Sequence, residues 1–549
     1  VPKLFRSLSI PWQKLLLGLA YCAIFAFAAW LRFQHLNWDE GHFFHPDERN
    51  IAAAVSRLDV PRQINPEFYA YNGFPLYLID ISSQLVAWLS KKPSWETDWN
   101  KINQISRAYS AAFSLLSVFL VSLLARKLFK AKTALLLTFL AATTVGLIQY
   151  AHYGVTESLL VFEILCLSLL SWRYYRYKKF RDLWLMAFVC GIGLGTKTSA
   201  ITFLLFPALS VFLRFGFQWK TLLSGLPVLL ISGLTFFFVS PNTILFWPKF
   251  LESMHYEGGV VDGSIPVPYT MQFIDTTPYL FQLKNLLWQS SPLFLGFAFF
   301  GLLLFCRHPK KWLALWPLLF YSFAYFGYVG SWYTKFIRYM LPIFPAVILL
   351  LGLSLEWFLK RSWGKWLVTL LLISQLFWAL AYSQIFLNRS SRLVATDWIY
   401  QNIPSGSRLL TEHWDDGLPS ESRASASYQQ IQLKLYDADT PSKMSTLAKS
   451  LAQGDYLIIS SRRLTGSLTR NPDYPYSKHY YELLFAGKLG YQKVQQITAY
   501  PQLLGVVIND DASEETFQVY DHPVIQIFAN TKKLSAEQLQ SLLLNLESY

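Results

Sequence analysis

Charge and sulfur are both scarce in this 549-residue chain. Asp, Glu, Lys and Arg make up 15% of it, against 53% hydrophobic and 17% aromatic residues, a balance that excludes an ordinary soluble domain and points to the membrane class. The four cysteines, Cys22, Cys166, Cys190 and Cys306, all fall inside apolar runs, so the loops and the tail cannot contain a disulfide. The C-terminal part has no Gly-rich phosphate loop, nucleophile elbow or zinc spacing. The nine histidines form no pair at metal-ligand spacing on an evident helix, and His42, His45 and His152 are expected to be local hydrogen-bonding groups. A net charge of +14 would ordinarily raise nucleic acid as a partner. Here the basic residues sit in short clusters between apolar runs, where they act as topological signals, and nucleic acid is excluded.

What the chain does have is a series of apolar runs of membrane-spanning length. They lie near residues 14–31, 108–127, 133–150, 157–173, 183–197, 199–214, 221–240, 291–306, 312–329, 340–358 and 366–386, and predict a polytopic α-helical protein of about eleven transmembrane helices. The first run follows Lys3 and Arg6 as a signal peptide would. It is long and lacks a small-residue cleavage pattern, so it is read as a retained helix. With a cytoplasmic N-terminus, Arg126, Lys127, Lys130 and Lys132, then Arg173 to Arg181, Arg307 to Lys311 and Lys360 to Lys365 all fall inside, as the positive-inside rule requires. The expectation is a multi-pass plasma-membrane protein with long outer loops at 32–107 and 241–290. Residues 1–388 then form the membrane domain and 389–549 an extracytoplasmic α/β domain, with helices at 392–402 and 442–452 and strands at 408–413, 456–460, near 494–498 and at 517–528. Helical stretches at 46–58 and 77–89 are expected to roof a cavity at the membrane surface.

Four acidic residues follow the first run closely: Asp39, Glu40, Asp47 and Glu48. A helix starting near Pro46 places Asp47 and Glu48 in its first turn, where the dipole favours carboxylates. The same position suits a general base working at the water–lipid boundary. In SWYTKFIRYMLP, Lys335 and Arg338 lie one helical turn apart on the outer side, where the inside rule does not explain them. A phosphate would, and Lys197 in LGTKTSA is placed to join it. Glu157 meets the outer start of the fourth run, where an ionisable group is either a helix cap or functional. Glu412 to Asp416 (EHWDD) is a weaker cation candidate.

The acidic pair after the first span, the acid at the outer start of the fourth and the RYxLP signature near the tenth together resemble the GT-C membrane glycosyltransferases. The closest likeness is to phospholipid-carrier-dependent enzymes of the protein O-mannosyltransferase and lipid A aminoarabinose transferase kind. The segments HPDER and HYEGGVVDGSIPVPYTMQFIDTTPYLFQLKNL are similar to a prokaryotic branch of this superfamily. The resemblance implies an inverting transfer of sugar from a polyprenyl-phosphate donor to a hydroxyl on a lipid, glycan or protein acceptor, within membrane lipid. It implies Asp47 as general base with Glu48 beside it, Glu157 as a second acid, and Arg338, Lys335, Lys197 and Tyr339 around the donor phosphate. The second acid is Glu where Asp is more usual. Asp39 and Glu40 are the alternative acidic pair. No metal site is implied, although a divalent cation is left open. A transporter or flippase is the competing reading, but it would place ionisable residues at mid-membrane in repeated broken helices; a non-catalytic scaffold would not need the acidic loop.

Overall fold

The computed structural model describes residues 2–546, with side chains from Trp12 onward. Lys3 and Arg6 lie outside the described side chains. All eleven apolar runs lie on helices, but among the described residues only eight helices are long and apolar enough to cross a membrane alone, or nine if the pair Leu280–Gln289 and Pro292–Arg307, bent by 118°, counts as one span. Two of the expected spans are shorter. The run at 133–150 divides into Ala131–Ala142 and Val145–Gln149. At that break the buried guanidinium of Arg32 donates to the carbonyls of Ala141 (3.3 Å) and Ala142 (2.9 Å), satisfying acceptors that the helix end leaves without partners. The run at 183–197 is the helix Phe180–Thr196. Lys197 follows in extended conformation before a 3-10 turn, Thr198–Leu204, leads into Leu205–Phe215.

The first long loop carries the helices Pro46–Val55 and Gly73–Ser90, where the sequence predicts 46–58 and 77–89, and the short helix Ser94–Thr97. In the second, Trp247–Asp262 is helical and ends at Gly263, whose φ of +86° is open to glycine without steric cost.

After the helix Ser362–Leu387 the chain turns polar and builds the α/β domain. Its strands are β1 (Arg408–Glu412), β2 (Gln429–Leu433), β3 (Tyr456–Ile459), β4 (Tyr491–Ile497), β5 (Gln502–Leu503), β6 (Val506–Val507) and β7 (Ile525–Asn530). Five form a sheet in the order β2-β1-β3-β7-β4, parallel across β2, β1 and β3 and antiparallel from β3 through β7 to β4; β5 and β6 form a separate pair. Period-two alternation divides the core. Leu410, Leu457 and Phe528 face the helices Pro441–Gln453, Pro475–Phe485 and Ala536–Leu544, while Leu409, Ile458 and Ile527 face Ser391–Asn402.

The expected strand at 517–528 is a correction. Only its last part is strand, in β7. Residues 510–522 instead leave the sheet and wedge into one end of the helical bundle, where Phe517 packs on Trp288, Trp378 and Tyr382. Pro523, which has no N–H to give a ladder, follows the wedge. His522 is buried between Asp510 (2.6 Å) and Asp521. The Asp521 carboxylate also accepts from Tyr153 (2.7 Å) and Tyr382 (3.0 Å) of the bundle. The α/β domain and the helices therefore share a polar seam, and Phe517 joins the apolar core of the bundle.

Candidate active site

The acidic loop divides into two clusters with different environments. In the first, Arg107 on the helix Trp99–Leu128 uses all five of its N–H donors. Two go to Asp39 (2.9 and 2.8 Å), two to Glu48 (2.8 and 2.6 Å) and one to the Leu36 carbonyl (2.7 Å). All three side chains are 0–1% exposed. The excess negative charge is taken up by backbone donors, with Gly41 and Phe43 on Asp39 and Gly154 on Glu48. Burial pushes the Asp39 carboxyl up, but Arg107 and these hydrogen bonds hold it below its ordinary value. Glu48 is next in sequence to Asp47 but lies in this closed ion cluster. Glu40, the other half of the alternative pair, lies elsewhere, bound to Arg389 (2.8 Å) at the protein surface.

The second cluster is open. Asp47 Oδ2 accepts from the Tyr71 hydroxyl (2.9 Å) and from Arg338 Nη1, and these two charged side chains retain 24% and 22% exposure. Burial raises the Asp47 carboxyl, but Arg338, His45 and the hydrogen bonds from Arg338 and Tyr71 outweigh it and hold the group far below the usual carboxylate range. Arg338 stands in the 3-10 turn Ile337–Ile343 that opens its span, and its Nε is buried without a partner. Glu157, at the start of the helix Glu157–Tyr177, pairs with Lys197 (3.1 Å), while its second carboxylate oxygen is unpaired. Lys197 lies over the Tyr71 ring, 5.3 Å from its centre. The fold thus brings Asp47, Arg338, Glu157 and Lys197 into one constellation around Tyr71, from segments far apart in sequence. Tyr339 lines the same turn, its ring 5.9 Å from the Arg338 guanidinium. Lys335 is buried and donates to the Tyr333 carbonyl (2.8 Å) rather than to any of these acids.

Two contributors are not evident in the sequence. Tyr71 occurs among many interfacial aromatics, and nothing in its local spacing marks it. Tyr520 arrives from the α/β domain and packs on His45, ring centres 4.2 Å apart. The expectation for the histidines holds only for His152, whose ring nitrogens meet the carbonyls of Ile148 and Gln34. His42 stacks on Phe44, and His45 is buried with neither nitrogen hydrogen-bonded. Burial is the main cause that lowers its pKa, against the opposing pull of Asp47 and Glu48.

Of the EHWDD carboxylates, Glu412 accepts from Tyr481 (2.6 Å) while Asp415 and Asp416 face Arg392. An arginine occupies the place a cation would take. Among the described residues, no group of three or more His, Cys, Asp or Glu is arranged to hold a metal ion.

Residues 78–257 match the family model described as dolichyl-phosphate-mannose-protein mannosyltransferase, a stretch that includes Glu157 and Lys197 but stops short of Arg338. The family that the sequence resembles is thus met from a second direction. The comparison with curated proteins returns no match. Among solved structures, ArnT from Cupriavidus metallidurans in the apo state is similar over 96% of this chain and 99% of its own, at 14% identity and a TM-score of 0.45. The same protein bound to undecaprenyl phosphate is similar over the same shares, at 15% identity and 0.47. An oligosaccharyltransferase from Archaeoglobus fulgidus, in complex with zinc and sulfate, is similar over 84% of this chain and 71% of its own, at 14% identity and 0.43.

Proposed function

We propose that this protein is a membrane glycosyltransferase that moves a sugar from a polyprenyl-phosphate donor to an acceptor hydroxyl at the outer face of the plasma membrane. The observation that carries the reading is the shared bond between Asp47 and Arg338 at the outer end of the helical bundle. A guanidinium is the side chain best suited to a phosphate, which it holds in a bidentate fork. Here it is held in reserve by a carboxylate that is itself a candidate base.

A carboxylate bonded to Arg338 and Tyr71 is a weak base. When the donor phosphate approaches, it competes for Arg338, whose Nε is still unused. Each donor that turns to phosphate releases Asp47 and raises its basicity. The base is thereby armed when the donor is present and stays quiet when it is absent. Lys197, pinned by Glu157, adds a second cation on the same side. The acceptor hydroxyl attacks the anomeric carbon on the face opposite the departing phosphate, Asp47 takes its proton, and the anomeric centre inverts. Asp39 and Glu48 hold the loop that presents Asp47. The family model over residues 78–257 supports this class of donor. The inside clusters of Lys and Arg support an outward-facing site and an extracytoplasmic α/β domain.

The test is mass spectrometry of cell-envelope glycans and lipids after removal of the gene. A glycosylated species should vanish and return with the parental gene but not with Asp47→Asn. A glycan and lipid profile unchanged by removal of the gene would refute the proposal.

A further inference from the structure

The helix Trp247–Asp262 carries the HYEGG stretch, which the mechanism above does not use. The helix is fixed at two points. Near its middle, the Met254 sulfur accepts from the Thr198 hydroxyl at 3.3 Å, next to Lys197. At its end, the Val261 carbonyl accepts from the Thr334 backbone at 3.2 Å, on the segment that leads to Arg338. There Gly263 lies so close to the Tyr333 ring that a Cβ would come within 2.9 Å of it. Met254, Glu257 and Val261 are spaced i, i+3 and i+7, and share one helical face. With its middle tied beside Lys197 and its C-terminal end tied to the segment that leads to Arg338, the helix turns Glu257 toward the charges of Arg338, Asp47 and Lys197.

The charge count among these groups is uneven. Two cations, Lys197 and Arg338, are already matched by Glu157 and Asp47. Glu257, half-buried, has no ion pair or hydrogen bond among the described residues. A donor phosphodiester brings another negative charge into the same space. Like charges that share a site cannot all stay ionised, and the one without a partner takes up a proton. We propose that Glu257 binds a proton together with the donor phosphate and hands it to the phosphate as the sugar leaves, an inference that rests on the donor class proposed above.

The step balances. The acceptor oxygen bonds to the anomeric carbon and gives its proton to Asp47. The bond from that carbon to the phosphate oxygen breaks, and its electron pair stays on the oxygen. Glu257 protonates the phosphate, so polyprenyl phosphate departs with one negative charge rather than two. The proton on Asp47 then returns to Glu257. The groups that face Glu257 are Arg338, Asp47 and Lys197 from three other segments, Tyr269 from its own loop and Tyr339 from the Arg338 turn. Burial pushes the Glu257 carboxyl up, Arg338 pulls it down, Asp47 adds to the rise and Lys197 again opposes it, with a net increase.

The experiment measures binding of undecaprenyl methyl phosphate to the full chain in detergent, from about pH 6 to about pH 9. This probe is a diester that carries one charge and does not titrate in that range, so any pH dependence belongs to the protein. Parental affinity should fall with rising pH, approaching about tenfold per unit once Glu257 must be protonated to bind. Calorimetry in buffers of different ionisation enthalpy should find up to one proton taken up. E257Q should bind with a flat profile, tighter than the parent at the alkaline end, and release polyprenyl phosphate from lipid-linked mannose more slowly. E252Q, on the exposed side of the same helix, should keep the parental profile. A parent that binds without proton uptake, or an E257Q profile that follows the parent, overturns the role of Glu257 and leaves the donor class standing. A parent that binds no probe at any pH overturns both.

Discussion

Replacing Arg107 by methionine removes the one cation that holds Asp39 and Glu48 in a space with almost no solvent access. Four charge-assisted hydrogen bonds of 2.6–2.9 Å disappear together. Asp39 keeps the Gly41 and Phe43 amides and Glu48 keeps the Gly154 amide, so neither carboxylate is bare, but both remain desolvated and repel each other. Breaking a buried ion pair from one side costs about 3–5 kcal/mol, because it strands an uncompensated charge. With two carboxylates stranded and three amides still bound, we expect Arg107→Met to fall in that range. Arg389→Met is the internal control. It removes ion pairs with Glu40 and Asp397 from side chains that are 30–49% exposed, and should cost below about 1 kcal/mol. Unfolding in mixed micelles against a denaturing detergent, followed by circular dichroism, compares the two. Adding Asp39→Asn and Glu48→Gln to Arg107→Met should restore part of the loss. If Arg107→Met loses no more than Arg389→Met, the cluster is not the support described here.

Asp47→Asn should reduce transfer by about a hundredfold to ten-thousandfold with near-parental folding and carrier-lipid binding, whereas Asp39→Asn should act mainly on stability; equal transfer by Asp47→Asn and parent would reject Asp47 as base. Arg338→Lys should weaken donor use, since an ammonium cannot reproduce the guanidinium fork, and an unchanged apparent affinity for donor would reject the assignment. Between Asp510 and Asp521 the His522 imidazole is buried, which alone would lower its pKa, yet the two carboxylates push it up to about 10. A raised folded pKa means this contribution to stability is complete below the ordinary histidine value and is lost as pH rises toward about 10. His522→Gln should flatten that alkaline loss in a thermal-melt series, and an unchanged slope would contradict it. A reporter fused after Tyr549, which itself lies outside the described residues, should be active outside the cytoplasm, and activity only inside would invert the topology.

How much of this was legible from the residues depends on how local the cause was. Apolar runs and basic clusters report on short windows, so all eleven runs appear as helices. The break at Thr143 was not readable, because the group that caps the helix end there is Arg32, more than a hundred residues away in sequence. β1 and β3 are short runs buried on both faces, and with β4 they lie within a few residues of the expected bounds. β2, Gln429–Leu433, is mostly polar and sits at a sheet edge, so it carried no pattern. Phe517 to Tyr520 looked like a strand because apolar alternation does not say whether the partner is a sheet or a bundle of helices. At the site, the residue types were legible and their pairings were not. The sequence placed Asp47 first, by its position at the helix start, and Asp39 as its rival; their different environments are set by Arg107 and Arg338, from distant segments.

That separation also bears on mechanism. Both arginines hold a carboxylate of the same loop, and the two clusters lie one residue apart at Asp47 and Glu48. Arg107 has every N–H engaged and no exposure, so an incoming anion would have to break five bonds in a dry space to reach it. Arg338 has an unused Nε and keeps about a fifth of its side chain open. Exchange of partners is cheap only at the second. A helix with Asp47 and Glu48 in successive positions can therefore be anchored by one carboxylate while the other changes partners, because adjacent positions on a helix point in different directions. Anchoring matters for a base, since a displacement of about 1 Å can cost a hundredfold in rate. The acidic doublet at the start of the helix Pro46–Val55 thus divides its work. Glu48 fixes the helix against Arg107, and under the proposed mechanism Asp47 leaves Arg338 for the acceptor hydroxyl when phosphate takes its place.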